Sequence, residues 1–157
     1  MMKTKLHLYS LLLLCCFLFG ANMSCTNKEE TIKNTQEKIT DFLTTEGIDS
    51  DYILLVPNSG CPGCISTAGL FIKDHYQNKN LFVILTRISS VKTFEIRTGI
   101  QVDSTSNIIV DQQNHFLING KNKIYPALFT WKNQRLEFKG YQKPKNDIFG
   151  YLQKKLQ

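Results

Sequence analysis

Two unbroken apolar runs, Tyr52-Ile53-Leu54-Leu55-Val56 and Leu81-Phe82-Val83-Ile84-Leu85, are separated by a single helix-length pattern. Runs this short and this apolar read as strands buried on both faces. Between them Ile65, Ala68, Ile72 and Tyr76 fall on one helical face, with Phe71 beside them, and Asn78-Lys79-Asn80 closes the pattern. A strand, a helix and a second strand in this order predict a mainly parallel sheet covered on both faces.

The flanking segments extend the pattern. Ile32, Ile39, Phe42 and Leu43 recur at helical spacing up to Gly47, and Asp49-Ser50-Asp51 marks a turn into the first strand. A short helical stretch at Val91 to Arg97 leads to an apolar run at Ile108-Ile109-Val110. Ala127 to Trp131 and Leu136 to Tyr141 then form a hairpin around Lys132-Asn133-Gln134, and Ile148, Phe149, Leu152 and Leu156 mark a closing helix. The expected class is α/β: a central mixed sheet with helices on both faces and a C-terminal β-hairpin plus helix. No internal repeat or low-complexity segment is present.

The first thirty residues have a different character. Lys3 and Lys5 precede an apolar stretch, Leu11 to Phe19, of signal-peptide length and too short for a permanent bilayer-spanning helix. Asn22-Met23-Ser24-Cys25 resembles, loosely, the lipobox of bacterial lipoproteins, in which cleavage precedes a cysteine that carries the lipid. The resemblance implies a signal peptide over 1–24, lipidation at Cys25, a lipid-anchored tether over 25–30 and one domain over 31–157. An ordinary cleaved secretion signal is the alternative, and either one places the mature chain outside the cytoplasm. Of five cysteines, Cys15 and Cys16 leave with the leader and Cys25 would be blocked, so Cys61 and Cys64 remain as a pair.

Composition excludes one class of partner. The formal charge of +6 includes Lys3 and Lys5, leaving +4 on the mature chain, where Lys121/Lys123 and Lys143/Lys145 are local basic pairs within an otherwise spread distribution. No basic run interleaves with aromatics, so a nucleic-acid partner is not expected.

Cys61-Pro62-Gly63-Cys64 follows the first apolar run and the loop Pro57-Asn58-Ser59-Gly60. Pro62 suits the first turn of a helix, where a missing N–H costs nothing. At such an N-terminus, unpaired N–H groups and the macrodipole stabilise an anion, which lowers a thiol pKa. Cys61 is therefore the expected nucleophile and Cys64, one turn in, the resolving thiol. A purely structural disulfide is the rival, although so short a loop constrains the unfolded chain little. A zinc site would need two more ligands, and His75 and His115 lack the spacing, so no metal is expected. His75, His115 and Trp131 are read as structural.

With these elements in order, the chain resembles the thioredoxin superfamily, and within it the secreted TlpA-like thioredoxins. The likeness rests on the strand-loop-CxxC-helix unit from Tyr52 to Tyr76, on Ile124-Tyr125-Pro126-Ala127-Leu128-Phe129, and on the hairpin and final helix through Leu156. The stretch from Ser89 to Asp111 resembles the insertion of the TlpA-like branch. The resemblance implies a thioredoxin fold, a cis bond before Pro126, and a substrate chain that pairs with the Tyr125 backbone beside the dithiol. It also implies an extracytoplasmic thiol–disulfide oxidoreductase acting on protein disulfides, without cofactor, monomeric, supplied by a membrane redox partner and anchored at the periplasmic face or the cell surface.

Three departures from the family pattern stand out. Gly60 replaces the Trp that many members carry before the first Cys, Leu55 stands where thioredoxins bury an acid, and the dipeptide between the cysteines is Pro-Gly rather than Gly-Pro. The direction of electron flow stays open. The alternative is a non-catalytic thioredoxin-fold binding module with a structural or metal-binding dithiol. A thiol peroxidase fits less well, because Asn58-Ser59-Gly60 lacks the Thr-x-x-Cys arrangement.

Overall fold

The computed structural model describes residues 28–60, 62–103 and 106–157. The segment expected as a signal peptide (1–24), the expected lipidation site Cys25 and the expected nucleophile Cys61 lie outside the described residues. The elements run α1 (Lys28–Glu46), β1 (Tyr52–Pro57), α2 (Pro62–His75), β2 (Leu81–Thr86), α3 (Val91–Thr98), β3 (Ile108–Asp111), β4 (Ala127–Lys132), β5 (Arg135–Tyr141) and α4 (Ile148–Leu156). The helix α1 takes in Lys28 to Glu30, which the tether boundary at 30 had excluded. Nothing between Thr26 and Lys38 is Gly or Pro, so no residue there stops the helix from extending backwards.

The five strands form one mixed sheet in the order β3-β2-β1-β4-β5. The first three are parallel, with Tyr52 opposite Leu81 and Val83 opposite Ile108. β4 runs antiparallel to β1, with Leu55 opposite Ala127, and β5 completes the hairpin. The hairpin turns on Asn133 and Gln134, both at positive φ (50° and 58°), as a two-residue turn matched to strand twist requires.

Every residue of β1 and β2 is buried, because the sheet is covered on both sides. Tyr52, Leu54, Val56, Leu81, Val83 and Leu85 pack with α2, α3 and α4 through Ala68, Ile72, Phe94 and Leu152. The alternate residues Ile53, Leu55, Phe82 and Ile84 pack with Ile39 and Leu43 of α1 and with Ile118 and Phe129. The expected helices on both faces are therefore present. Phe71 stacks on Phe149 at 4.6 Å, tying α2 to α4, and Gln36 Nε2 of α1 donates to the Leu136 carbonyl of β5 at 3.0 Å.

One expectation is corrected. No peptide bond among the described residues is cis, so the bond before Pro126 is trans. Trans is the favoured isomer before proline, and the local hydrogen bonding accommodates it. The Tyr125 N–H donates to the Asn122 carbonyl at 3.0 Å, closing a turn that reverses the chain before the proline. Pro126 then leads into β4, and its carbonyl accepts from the Gln142 N–H at 2.8 Å.

Candidate functional site

The parallel strands end on one side of the sheet, at Pro57, Thr86 and Asp111, and antiparallel β4 begins there at Ala127. The loop after β1, the turn after β2 and the segment before β4 therefore share this edge. The carboxyl ends of parallel strands are the usual place for a ligand crevice in open α/β sheets.

α2 begins at Pro62, the residue after Cys61, so the helix N-terminus stands where its proline places it. No acidic residue occupies its first turn, and Lys73 and His75 lie in its last. The basic residues at the C-terminus complement the macrodipole, and the positive pole at the N-terminus has no acidic residue in its own first turn. Cys64, the third residue of α2, is half-buried and disulfide-bonded. His75 packs its ring on Phe71 at 4.6 Å.

Gly60 connects this unit to the rest of the site. Its φ is +132°, and a Cβ there would lie 3.0 Å from the Ile124 Cβ and 3.6 Å from the Ile124 carbonyl. The loop before the C-x-x-C is thus pressed against the segment that carries Tyr125 and Pro126. The same contact accounts for the glycine: side chains seldom adopt this backbone conformation, and Ile124 fills the space.

Tyr125 is half-buried and Pro126 buried. Lys143 holds this corner, with its Nζ 5.2 Å from the Tyr125 ring centre and 5.3 Å from that of Tyr141, and it donates to Asn122 Oδ1 at 2.6 Å. The Tyr125 N–H is turned to the Asn122 carbonyl. Burial pushes the Tyr141 phenol above its ordinary value, against a hydrogen bond from Asn122 that lowers it.

Leu55 is 3% exposed and lies in the core against Ile84 and Ala127. Position 55 is thus an apolar packing position. A buried acid at the end of β3, Asp111, is turned to backbone: its carboxylate accepts from the His115 and Phe116 N–H groups at 2.9 and 2.8 Å. Among the described residues no three of His, Cys, Asp and Glu converge as a metal site would need, and no helix is long and apolar enough to cross a membrane.

Sequence reasoning missed two arginines at this edge. Arg97 Nη2 donates to Asn58 Oδ1 at 2.7 Å, and Arg87 Nη1 reaches Ser59 Oγ at 3.4 Å. Arg87 lies two residues beyond the second apolar run, so a parallel pairing of the two runs would have placed it beside the Asn58–Ser59 loop. Arg97 had no such signal, since its reach depends on the tilt of a short helix.

Comparison with family models, with curated proteins and with solved structures gives no match to this chain.

Proposed function

We propose that the protein is an extracytoplasmic, thioredoxin-fold thiol–disulfide oxidoreductase acting on protein disulfides, anchored through a lipid on Cys25. The observation that carries this reading is the disulfide at Cys64, in the first turn of a helix whose positive pole opens at the carboxyl ends of three parallel strands. Cys61, three residues away, is the partner that the mature chain offers. The order of strands and helices, the antiparallel hairpin and the approach of Gly60 to Ile124 all agree with a thioredoxin-like arrangement.

In the reducing direction, the Cys61 thiolate attacks one sulfur of a substrate disulfide and the substrate S–S bond breaks. The departing sulfur leaves as a thiolate and takes a proton. The Cys64 sulfur, once deprotonated, attacks Cys61, closing the protein disulfide and releasing the second substrate thiol. Two electrons pass to the substrate, and a membrane redox partner restores the dithiol. The oxidising direction is the reverse. The helix N-terminus stabilises the thiolate at the first step, and the Tyr125 carbonyl and Pro126 border the docking surface.

Equilibration of the protein with glutathione buffers tests the reading. A potential between roughly −270 and −120 mV fits a working dithiol, with the lower end marking a reductant and the upper end a disulfide donor. A disulfide still closed in buffers poised below roughly −300 mV identifies a staple. That outcome favours the second reading, a non-catalytic thioredoxin-fold binding module, which the apolar packing of Leu55 supports: no carboxylate is placed there to take the second thiol's proton.

A further inference from the structure

We infer that Arg87 and Arg97 form a cationic rim beside the dithiol loop and select disulfides that carry carboxylates close to the S–S bond. The inference rests on the oxidoreductase reading and adds a substrate class to it.

Both guanidinium groups are anchored on residues that immediately precede the C-x-x-C. Arg97 holds Asn58 from α3, and Arg87 reaches Ser59 from the end of β2. The loop itself is fixed to β2 by the Asn58 N–H, which donates to the Thr86 carbonyl at 2.8 Å. Two cations from different elements thus converge on one short loop. A guanidinium carries five N–H donors, and each of these two spends one on the loop.

Neither arginine meets a carboxylate among the described residues, where the ion pairs are Arg135–Glu137 and Lys139–Glu137. Glu95 of α3 and Asp111 of β3 are turned to backbone. Glu95 Oε1 accepts from the Val102 N–H at 3.0 Å, and both oxygens of Asp111 accept from the loop after β3. The positive charge at this edge is therefore left for a ligand.

The backbone at Arg87 is an independent observation. Its φ is +53°, a left-handed conformation that costs a non-glycine residue about 1 kcal/mol or more. The Arg87 N–H is held there by Asn114 Oδ1 at 2.7 Å. Glycine would satisfy that conformation without strain, so an arginine at this position is explained by its side chain.

The test uses three small disulfides of one design: dithiodipropionate (anionic), hydroxyethyl disulfide (neutral) and cystamine (cationic). The reduced protein is mixed with each, and the rate of thiol release is followed for wild type, Arg97→Gln and Arg87→Gln/Arg97→Gln. Expected is a roughly three- to tenfold fall in the anionic-to-cationic rate ratio in the double variant, the scale of close charge pairs screened by water. Arg97→Lys, which keeps the charge on an exposed side chain, should restore most of the ratio lost in Arg97→Gln. Half-molar salt should reduce the wild-type ratio towards that of the double variant. A ratio unmoved by the substitutions while hydroxyethyl disulfide is still reduced overturns the arginine inference alone. No thiol–disulfide exchange by wild type in either direction, neither reduced protein with hydroxyethyl disulfide nor oxidised protein with mercaptoethanol, overturns the oxidoreductase reading, and the rim with it.

Discussion

Gly60 and Ile124 are in such close contact that a single added carbon on the glycine would stand 3.0 Å from the isoleucine Cβ. Sixty-four positions of sequence separate them, yet this contact joins the loop before the dithiol to the segment before β4.

Gly60→Ala should therefore destabilise the protein by about 2 kcal/mol or more, from the positive φ and the overpacking together. Urea denaturation of Gly60→Ala, Ile124→Ala and the double variant checks the cause. The double variant should recover the packing share of the loss and leave the conformational share. Strict additivity would mean that Ile124 is not the obstacle.

Loss of the disulfide should cost little. With Cys61 as the partner proposed above, the closed loop is so short that chain entropy contributes only about 2 kcal/mol. Cys64→Ser should accordingly shift the urea midpoint modestly and abolish turnover of protein disulfides. A loss of the whole fold would argue for a staple.

The short helix α3 depends on its caps. Ser90 Oγ accepts from the Thr93 N–H at 3.2 Å, and Gly99, left-handed at φ 72°, donates to the Glu95 carbonyl at 2.7 Å. Ser90→Ala should remove about 1 kcal/mol. Because α3 carries Arg97, hydrogen exchange in residues 91–98 should rise, and the charge preference among small disulfides should weaken in the same variant. Unchanged exchange would show that packing of Phe94 alone holds the helix.

Alkaline pH should weaken the fold through two tyrosines. Burial raises Tyr141 above its ordinary 10.0, partly offset by Asn122. Burial also raises Tyr52, reinforced by Tyr151 and Asp51 and opposed by Lys139. A raised phenol pKa means that the folded state holds the proton more tightly. That contribution is complete below pH 10 and is lost as pH rises through the folded value. Tyr141→Phe should therefore fall off less steeply above pH 10 than wild type, read as urea midpoints at several pH values. Parallel curves would refute the assignment.

The strands were legible because β1 and β2 are buried on both faces and read as unbroken apolar runs. The hairpin was legible from its turn residues, and α2 from Pro62 and its apolar face. The isomer of Pro126 was not legible, because it is set by the turn from Asn122 to Tyr125 and by Gln142, residues with no local signature. Neither was the arginine edge: Arg87 and Arg97 reach their partners only through strand pairing and helix tilt. Gly60 stood out as a departure from a pattern, and only the position of Ile124 gave that departure a cause.

The outer margin of the hairpin has a consequence for how copies of this chain meet one another. β5 is the last strand of the sheet, and a bare last strand invites another strand to add to it. Here its exposed positions are Arg135, Glu137 and Lys139, with Glu137 and Lys139 joined at 2.8 Å. The Leu136 carbonyl is already taken by the Gln36 amide. A second molecule approaching this margin would have to strip water from three charged side chains and displace an amide from a satisfied carbonyl. Protection against strand-by-strand self-association is thus built into the three charges and one glutamine at the rim of the sheet.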